Sequence, residues 1–414
     1  MASFSTPLSG LLANNQALSV VSNNLANLST DGFKGETPLF QDLFYQQYGI
    51  NGAGDPIQVG VGTNMNSDPT NFSQGTISNT GVSTDMAIQG DGFFQVQKGD
   101  VTLYTRDGNM TINAQGYLVT QDGAQVLGYP ATNGVVSNNG PLSPLQLSGT
   151  VISPPKSTAN VQLTVNLNAS SAVNATYSTP VTVYDSLGTS HVLTLTFTKN
   201  AANSWGYSMT IPAADVGQSG NPVQVASGTL TFNGAGVLTS PASNVNGIQI
   251  TGLADGANTL TFNWDLYNSN NAGLITQVAA PSSTTATQQD GFASGSLTGF
   301  NIQADGTVEG TFSNGQTMAL GQVALATFPN NQGLLRTGSN QFMASLASGL
   351  PSVGIPGTGG RGTIADGALE GSNVDIATQF AQLIATQSAY QADARAITTA
   401  NQFVQTALNL IPIP

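Results

Sequence analysis

The chain has 414 residues, only 7 % of them charged, and its 8 Lys and Arg against 21 Asp and Glu give a net charge of −13. That balance argues against nucleic acid or an anionic membrane as partner, and the absence of Cys removes any disulfide framework or thiolate site. With 48 Gly and many Asn, Ser and Thr the surface is polar but weakly charged, and the length allows two or three domains.

At the N-terminus Phe4, Leu11, Leu18 and Leu25 recur every seven residues, with Val21 and Leu28 at the second seam position and Asn14 as its polar exception. This predicts a helix within residues 1–30, ending at Ser29, Thr30, Asp31 and Gly32. The first basic residue is Lys34, and Asn14, Asn15, Asn23 and Asn24 interrupt the Leu-rich positions. The expectation is therefore neither a cleaved signal peptide nor a membrane span, and export would need a route that reads an uncleaved, flexible N-terminus. Residues 31–84 read as linker or extended segment, punctuated by Gly-Ala-Gly-Asp-Pro at 52–56, with Ile57, Val59 and Val61 in short alternation.

From Asp85 the pattern is β. Phe93, Phe94, Val96, Leu103, Tyr104, Leu118 and Val126 stand in short runs between Gly-Asp-Gly, Lys-Gly-Asp and Asp-Gly turns. A Pro-rich passage (Pro141, Pro144, Pro154, Pro155) marks a boundary. Residues 156–286 have a different texture, rich in Thr and Val, with Thr-Leu-Thr-Phe at 194–197, 229–232 and 259–262. That alternation predicts strands with one buried and one wet face, and Asp185-Ser-Leu-Gly188 predicts a hairpin turn. At 287–348 the first texture returns, with Ile302, Val308, Phe312, Val323 and Leu325 around Asp305-Gly306 and Asn314-Gly315 turns. The simplest organisation is nested: 156–286 is inserted into a discontinuous β domain (85–155 and 287–348), itself inserted between terminal helices (1–30 and 371–414), with 349–370 as a Gly-rich return linker. The fold class is thus mainly β in the middle, with N- and C-terminal α-helices forming a coiled-coil-like terminal domain.

The C-terminal helix carries the longest period. Ile376, Leu383, Tyr390, Ile397, Val404 and Ile411 are spaced by seven, with Phe380, Ala394 and Leu408 between them and Gln387 and Asn401 as polar seam positions. Gly371, Ser372 and Asn373 offer caps, and Asp375 falls in the first turn. The two ends are expected to be partners, with Leu11, Leu18, Leu25, Leu383, Ile397 and Val404 as core. Two forms are open: ends that order only when subunits pack side by side, because burial in a lone pair does not offset the entropy of ordering it, or an antiparallel helix pair within one chain.

Nothing in the residues assembles a catalytic, cofactor or metal site. His191 is the sole histidine, with no Cys and no matching acid beside it, so a structural or exposed role is expected. Asp85, Asp91, Asp100, Asp107 and Asp122 read as turn residues rather than calcium ligands. Gly60-Val-Gly62 and Gly357-Thr-Gly-Gly360 lack the elements of a phosphate loop. Arg395 could pair with Asp393, or with Glu370 or Asp375 of a neighbouring copy.

Four stretches carry a family likeness in order along the chain. Asn23-Asn-Leu-Ala-Asn27 with Thr30-Asp-Gly-Phe-Lys34 comes first, then Ala87-Ile-Gln-Gly-Asp-Gly-Phe-Phe94. Asp290-Gly-Phe-Ala-Ser-Gly295 with Leu320-Gly-Gln-Val323 follows, and Glu370-Gly-Ser-Asn-Val374 is last. Together they resemble the rod, hook and axial proteins of the bacterial flagellum, and the inserted block favours a hook over a shorter distal rod protein. The resemblance implies a structural subunit that self-assembles into a curved hollow tube, a flexible joint coupling the motor rod to the filament. It implies no enzyme activity and no cofactor. Implied partners are copies of itself, the distal rod protein, the hook cap, the hook-filament junction proteins and the flagellar type III export apparatus, and the implied location is the extracellular flagellum. A secreted β-rich adhesin is the reading from another class, one that would not need heptads at both ends. On the hook reading, the polymerisation seam is Phe4, Leu11, Leu18, Val21, Leu25, Leu28, Ile376, Phe380, Leu383, Tyr390, Ile397, Val404, Leu408 and Ile411.

Overall fold

The computed structural model describes residues 4–147 and 151–409. The chain divides into two compact units: a first made of Met1–Ser148, Gly299–Gly310 and Met318–Pro414, and a second made of Gly149–Thr298 with Thr311–Thr317. Most elements are strands, framed by helix α1 (Ser5–Ala26) and helix α2 (Ile376–Asn409).

In the first unit the hairpin Phe93–Lys98 and Val101–Thr105 is central, pairing Gln95 with Tyr104. Gln125–Thr132 joins it through Val126 and Val96, and Thr317–Val323 lies on the far side of Gln125–Thr132. Phe94 and Val96 enter one core with Met86, Ile88, Leu118, Val308 and Val323. Phe93 turns to the other face, where it meets Tyr104, Phe342, Phe72 and Phe328 in a cluster of mostly edge-to-face rings. The strand is buried on both faces from Phe93 to Val96, with Gln95 among the buried positions.

The segments expected to be linkers are paired. Thr363–Asp366 runs antiparallel to Met86–Gln89, Ala368–Glu370 to Ile77–Asn79, and Ser352–Gly354 to Leu325–Thr327. The glycines of 349–367 serve turns between these short strands, with positive φ at Gly349, Gly357, Gly359, Gly360 and Gly367. Residues 39–67 are not a loop either. They form a long hairpin, Leu39–Asp42 against Thr63–Ser67 and Tyr45–Ile50 against Pro56–Gly60, with the Gly-Ala-Gly-Asp-Pro stretch at its tip. Its strands are almost wholly exposed on both faces, so no in-out alternation marks them in the sequence.

The second unit has two five-stranded sheets. One is the antiparallel series Thr176–Tyr184, Ser190–Ala201, Ser204–Ile211, Val223–Phe232 and Leu238–Ser240. The other is mixed, with Asn160–Asn168 parallel to Leu260–Asp265 and Ile275–Val278. Their inward faces share one core around Trp205, Trp264, Phe197 and Phe262. All three Thr-Leu-Thr-Phe tetrapeptides place Leu and Phe in this core (Leu195, Phe197, Leu230, Phe232, Leu260, Phe262). The hairpin turn at Asp185–Gly188 forms as expected, with Gly188 at φ 83°.

Candidate assembly interface

Three basic residues of the eight in the chain converge where the N- and C-terminal segments meet the first β unit. Lys34 and Glu370 are fully buried, with Lys34 Nζ 2.6 Å from Glu370 Oε1, and Arg106 Nη1 lies 3.3 Å from Oε2 of the same carboxylate. Glu370 Oε1 also accepts the Gly75 amide at 2.8 Å. Lys34 donates to the Ser73 carbonyl at 2.8 Å, and Arg106 donates to the carbonyls of Gly90 and Ile88. Burial pushes both cations' pKa values down, and Glu370 opposes that shift in each case. A third cation closes the outer side: Arg336 Nε pairs with Glu36 at 2.9 Å while its guanidinium lies over the rings of Phe33 and Phe342.

The turn into this junction requires glycine. Gly32 has φ 68°, donates its amide to the Glu370 carbonyl at 2.6 Å, and a Cβ there would sit 2.5 Å from the Asp107 nitrogen. Asn24, buried near the end of α1, exchanges two bonds with the Glu36 backbone and reaches Gln379 on α2 at 3.2 Å. Asn373 accepts the Gly35 amide and donates to the Asn71 and Ser73 carbonyls rather than capping α2. The cap is Asp375, whose carboxylate accepts the Thr378 amide at 2.7 Å.

From this junction α1 and α2 run as an antiparallel pair, the second of the two forms left open by the sequence: Asn24 bonds Gln379 at one end and Asn14 Nδ2 bonds Asp393 Oδ2, 2.9 Å, at the other. The face of α1 that α2 covers is not the predicted one. The buried positions Gly10, Ala13, Ala17, Val20 and Asn24 have the spacings of a heptad, displaced by one residue toward the N-terminus from Leu11, Asn14, Leu18, Val21 and Leu25. Small side chains let the helices approach closely, and Gly10 leaves room for the Asp393 carboxylate, which a Cβ would meet at 2.7 Å. Of the predicted seam only Val21 is buried; Phe4, Leu11, Leu18, Leu25 and Leu28 are half-buried.

On α2 Thr386 is buried, and the half-buried positions are Gln379, Gln382, Leu383, Ala389, Tyr390, Asp393, Ala394, Ile397 and Ala400. Ile376, Phe380 and Val404 are exposed, as are Ile384 and Phe403. By the register of Asn14 and Asp393, residues 403–406 lie past the start of α1, and 401–406 are all exposed. The Leu408 side chain and Ile411 lie outside the described residues. Arg395 is exposed, and Glu370, wholly engaged by Lys34 and Arg106, is not available to it in another copy.

The hairpin adds a third uncovered surface, with Phe44, 85 % exposed, beside Tyr45, Tyr48, Ile50, Ile57 and Val59. It is tied to α1 at its base, where Ser9 Oγ accepts the Thr63 amide at 3.2 Å, and Gly62 has no Cβ to strike that hydroxyl. Exposed apolar side chains gathered on one hairpin and along two helices make these faces candidates for contact with another chain. Sequence reasoning missed Arg106, Arg336 and the hairpin. The signal available for the first two was scarcity, because a chain with so few cations places each for a reason.

Family models match four stretches of the chain. They are described as flagella basal body rod protein (residues 4–34), flagellar hook protein FlgE/F/G D1 domain (87–171), flagellar basal body protein FlaE D2 domain (156–292) and flagellar basal body rod FlgEFG protein C-terminal (365–410). The chain is 35 % identical to flagellar hook protein FlgE of Salmonella typhimurium over 99 % of its own length and 100 % of that protein. With the protein of that name from Escherichia coli the identity is 36 %, over 98 % and 99 %, and with that from Treponema pallidum 32 %, over 99 % of each. Among solved structures, the crystal structure of Helicobacter pylori flagellar hook protein FlgE2 aligns over 71 % of this chain and 100 % of that one, with a TM-score of 0.49 and 16 % identity.

Proposed function

The chain belongs to the flagellar hook protein family and is a structural subunit of the hook, and from that premise we propose that copies meet through the apolar faces the helix pair leaves uncovered and through the exposed hairpin. The observation that carries this is the displaced seam. The intramolecular pair uses Gly10, Ala13, Ala17 and Val20, so Leu8, Leu12, Phe380, Ile384, Phe403 and Val404 remain for neighbours. Those large seam residues named from the sequence that are half-buried or exposed in one chain become fully buried between chains. The tube so formed is hollow and curved, and its subunits accommodate bending by shifting against one another, which makes it a joint between the motor rod and the filament.

The partners are then further copies along the tube, the distal rod protein at its base, the cap under which it grows and the junction proteins at its end. Export proceeds through the flagellar type III apparatus. Among the described residues no helix is long and apolar enough to cross a membrane. Electron microscopy under polymerising conditions tests the proposal: curved tubes from the full chain and none from a chain lacking 1–30 and 371–414. Straight tubes would identify a rod-like subunit, and tubes from the trimmed chain would remove the terminal helices from the mechanism.

A further inference from the structure

The sequence left His191 without a matching acid, but the fold brings three. His191 opens the strand Ser190–Ala201, Asp185 begins the hairpin turn before it, Asp215 stands on the short 3-10 helix Ala213–Val216, and Asp255 lies in the loop after Val245–Ile250. All belong to the second unit. His191 is 5 % exposed and Asp185 0 %. His191 Nε2 is 3.1 Å from Asp185 Oδ2, and Nδ1 is 3.1 Å from Asp215 Oδ2.

We propose that Asp185, His191 and Asp255 bind a divalent transition-metal ion, Zn2+ or Mn2+, with Asp215 orienting the imidazole. Ligand atoms of the three residues lie within 4.8 Å of one another. That suits a shared cation, since metal bonds of about 2.1 Å separate neighbouring ligand atoms by roughly 3 to 4 Å. Asp185 spends Oδ1 on the Leu187 and Thr189 amides and turns Oδ2 toward the imidazole, with the Asp255 carboxylate in the same cluster. Three carboxylates thus face one imidazole, and among the described residues no Lys or Arg pairs with any of them. A fully buried carboxylate turned toward a second one is costly unless positive charge lies between them.

A metal held there would take the Nε2 lone pair of the neutral ring while Asp215 accepts the Nδ1 proton, the carboxylate-histidine-metal arrangement that fixes ring orientation. An imidazole nitrogen in the donor set selects a first-row transition metal over Ca2+ or Mg2+. Asp255 is exposed, which gives the ion its entry. The bound ion would tie the 185–189 turn to the loop bearing Asp255 and so brace that end of the unit.

The chain contains a single histidine, so its imidazole proton signals report the site without ambiguity. Full-length protein stripped with EDTA is titrated with ZnCl2 at pH 7.5 and followed by proton NMR and calorimetry. The expected result is a saturable shift at one Zn2+ per chain. Affinity should fall at least tenfold in Asp255→Asn and about ten- to hundredfold in Asp215→Asn, with Ca2+ at least tenfold weaker than Zn2+. No saturable shift, or unchanged Zn2+ affinity in Asp255→Asn, overturns the proposal. Because Asp255 is exposed, its Asn variant tests binding without disturbing the core, and unchanged Trp fluorescence verifies the fold.

Discussion

Glu370 neutralises two buried cations that have no other carboxylate within bonding distance among the described residues, so its removal is felt by both. Glu370→Gln should lower stability by about 3 to 5 kcal/mol, the penalty of leaving buried charge uncompensated, read as a shifted denaturant midpoint. Gly32→Ala should also destabilise, because it imposes both a positive φ on Ala and an overlap with Asp107. Asp107 itself gives a pH signature. Burial first, then the charges of Asp31, Asp85 and Asp122, push it up to about 6, against a lowering bond from the Asn109 amide. A carboxyl raised in the folded state above its ordinary 3.8 contributes stability that is present below that value and lost as pH rises through about 6. Asp107→Asn should therefore stabilise the chain by about 1 to 2 kcal/mol at pH 7, an advantage that disappears near pH 4. Equal urea midpoints for variant and parent at pH 7 would refute it. The sequence showed Lys34 and Glu370 as parts of two motifs but not as partners, because residues 336 apart carry no record of their distance. The acids around His191 went unseen for a related reason: Asp185 and Asp255 sit in turns, where Asp is already explained by local backbone bonding, and Asp215 stands on a short 3-10 helix.

At the level of elements, both terminal helices were legible from their seven-residue period, yet the face that packs within the chain was not. Large apolar residues draw the eye to Leu11, Leu18 and Leu25, whereas a close helix pair selects small ones, and Gly10, Ala13 and Ala17 look unremarkable in a chain rich in Gly and Ala. The two surfaces should separate by mutation. Phe380→Ser with Ile384→Ser alters only exposed side chains, so monomer stability should change by less than about 0.5 kcal/mol per site, while the concentration needed for tube formation rises at least tenfold by sedimentation. Ala17→Leu overfills the intramolecular seam and should cost about 1 to 3 kcal/mol in the monomer. If the serine pair left polymerisation intact, the uncovered stripe on α2 would not be where copies meet. The hairpin 39–67 escaped detection because strands wet on both faces have no burial period to reveal them, and only its turn chemistry at 52–56 and the short alternation of Ile57, Val59 and Val61 were visible.

The whole molecule combines parts with separate sources of stability. The second unit closes its own core, and both tryptophans of the chain, Trp205 and Trp264, are buried in it. The core of the first unit draws only on residues of that unit, from Met86 to Ile364, and the helices add a seam of small side chains. Separate cores unfold separately unless a large apolar interface couples them. In the monomer, tryptophan fluorescence should thus report the second unit alone, and the 222 nm dichroism of α1 and α2 should be lost in an earlier, non-coincident transition. Assembly then discriminates. Burial of Phe380, Ile384, Phe403 and the hairpin aromatics between copies stabilises the helical ends by mass action, so polymerisation should raise the 222 nm midpoint while leaving the tryptophan midpoint nearly where it was. Coincident midpoints in the monomer would show one cooperative body. A polymer that moved both equally would place the contacts between copies on the β units as much as on the helices, and the helix-centred account of the tube would fail.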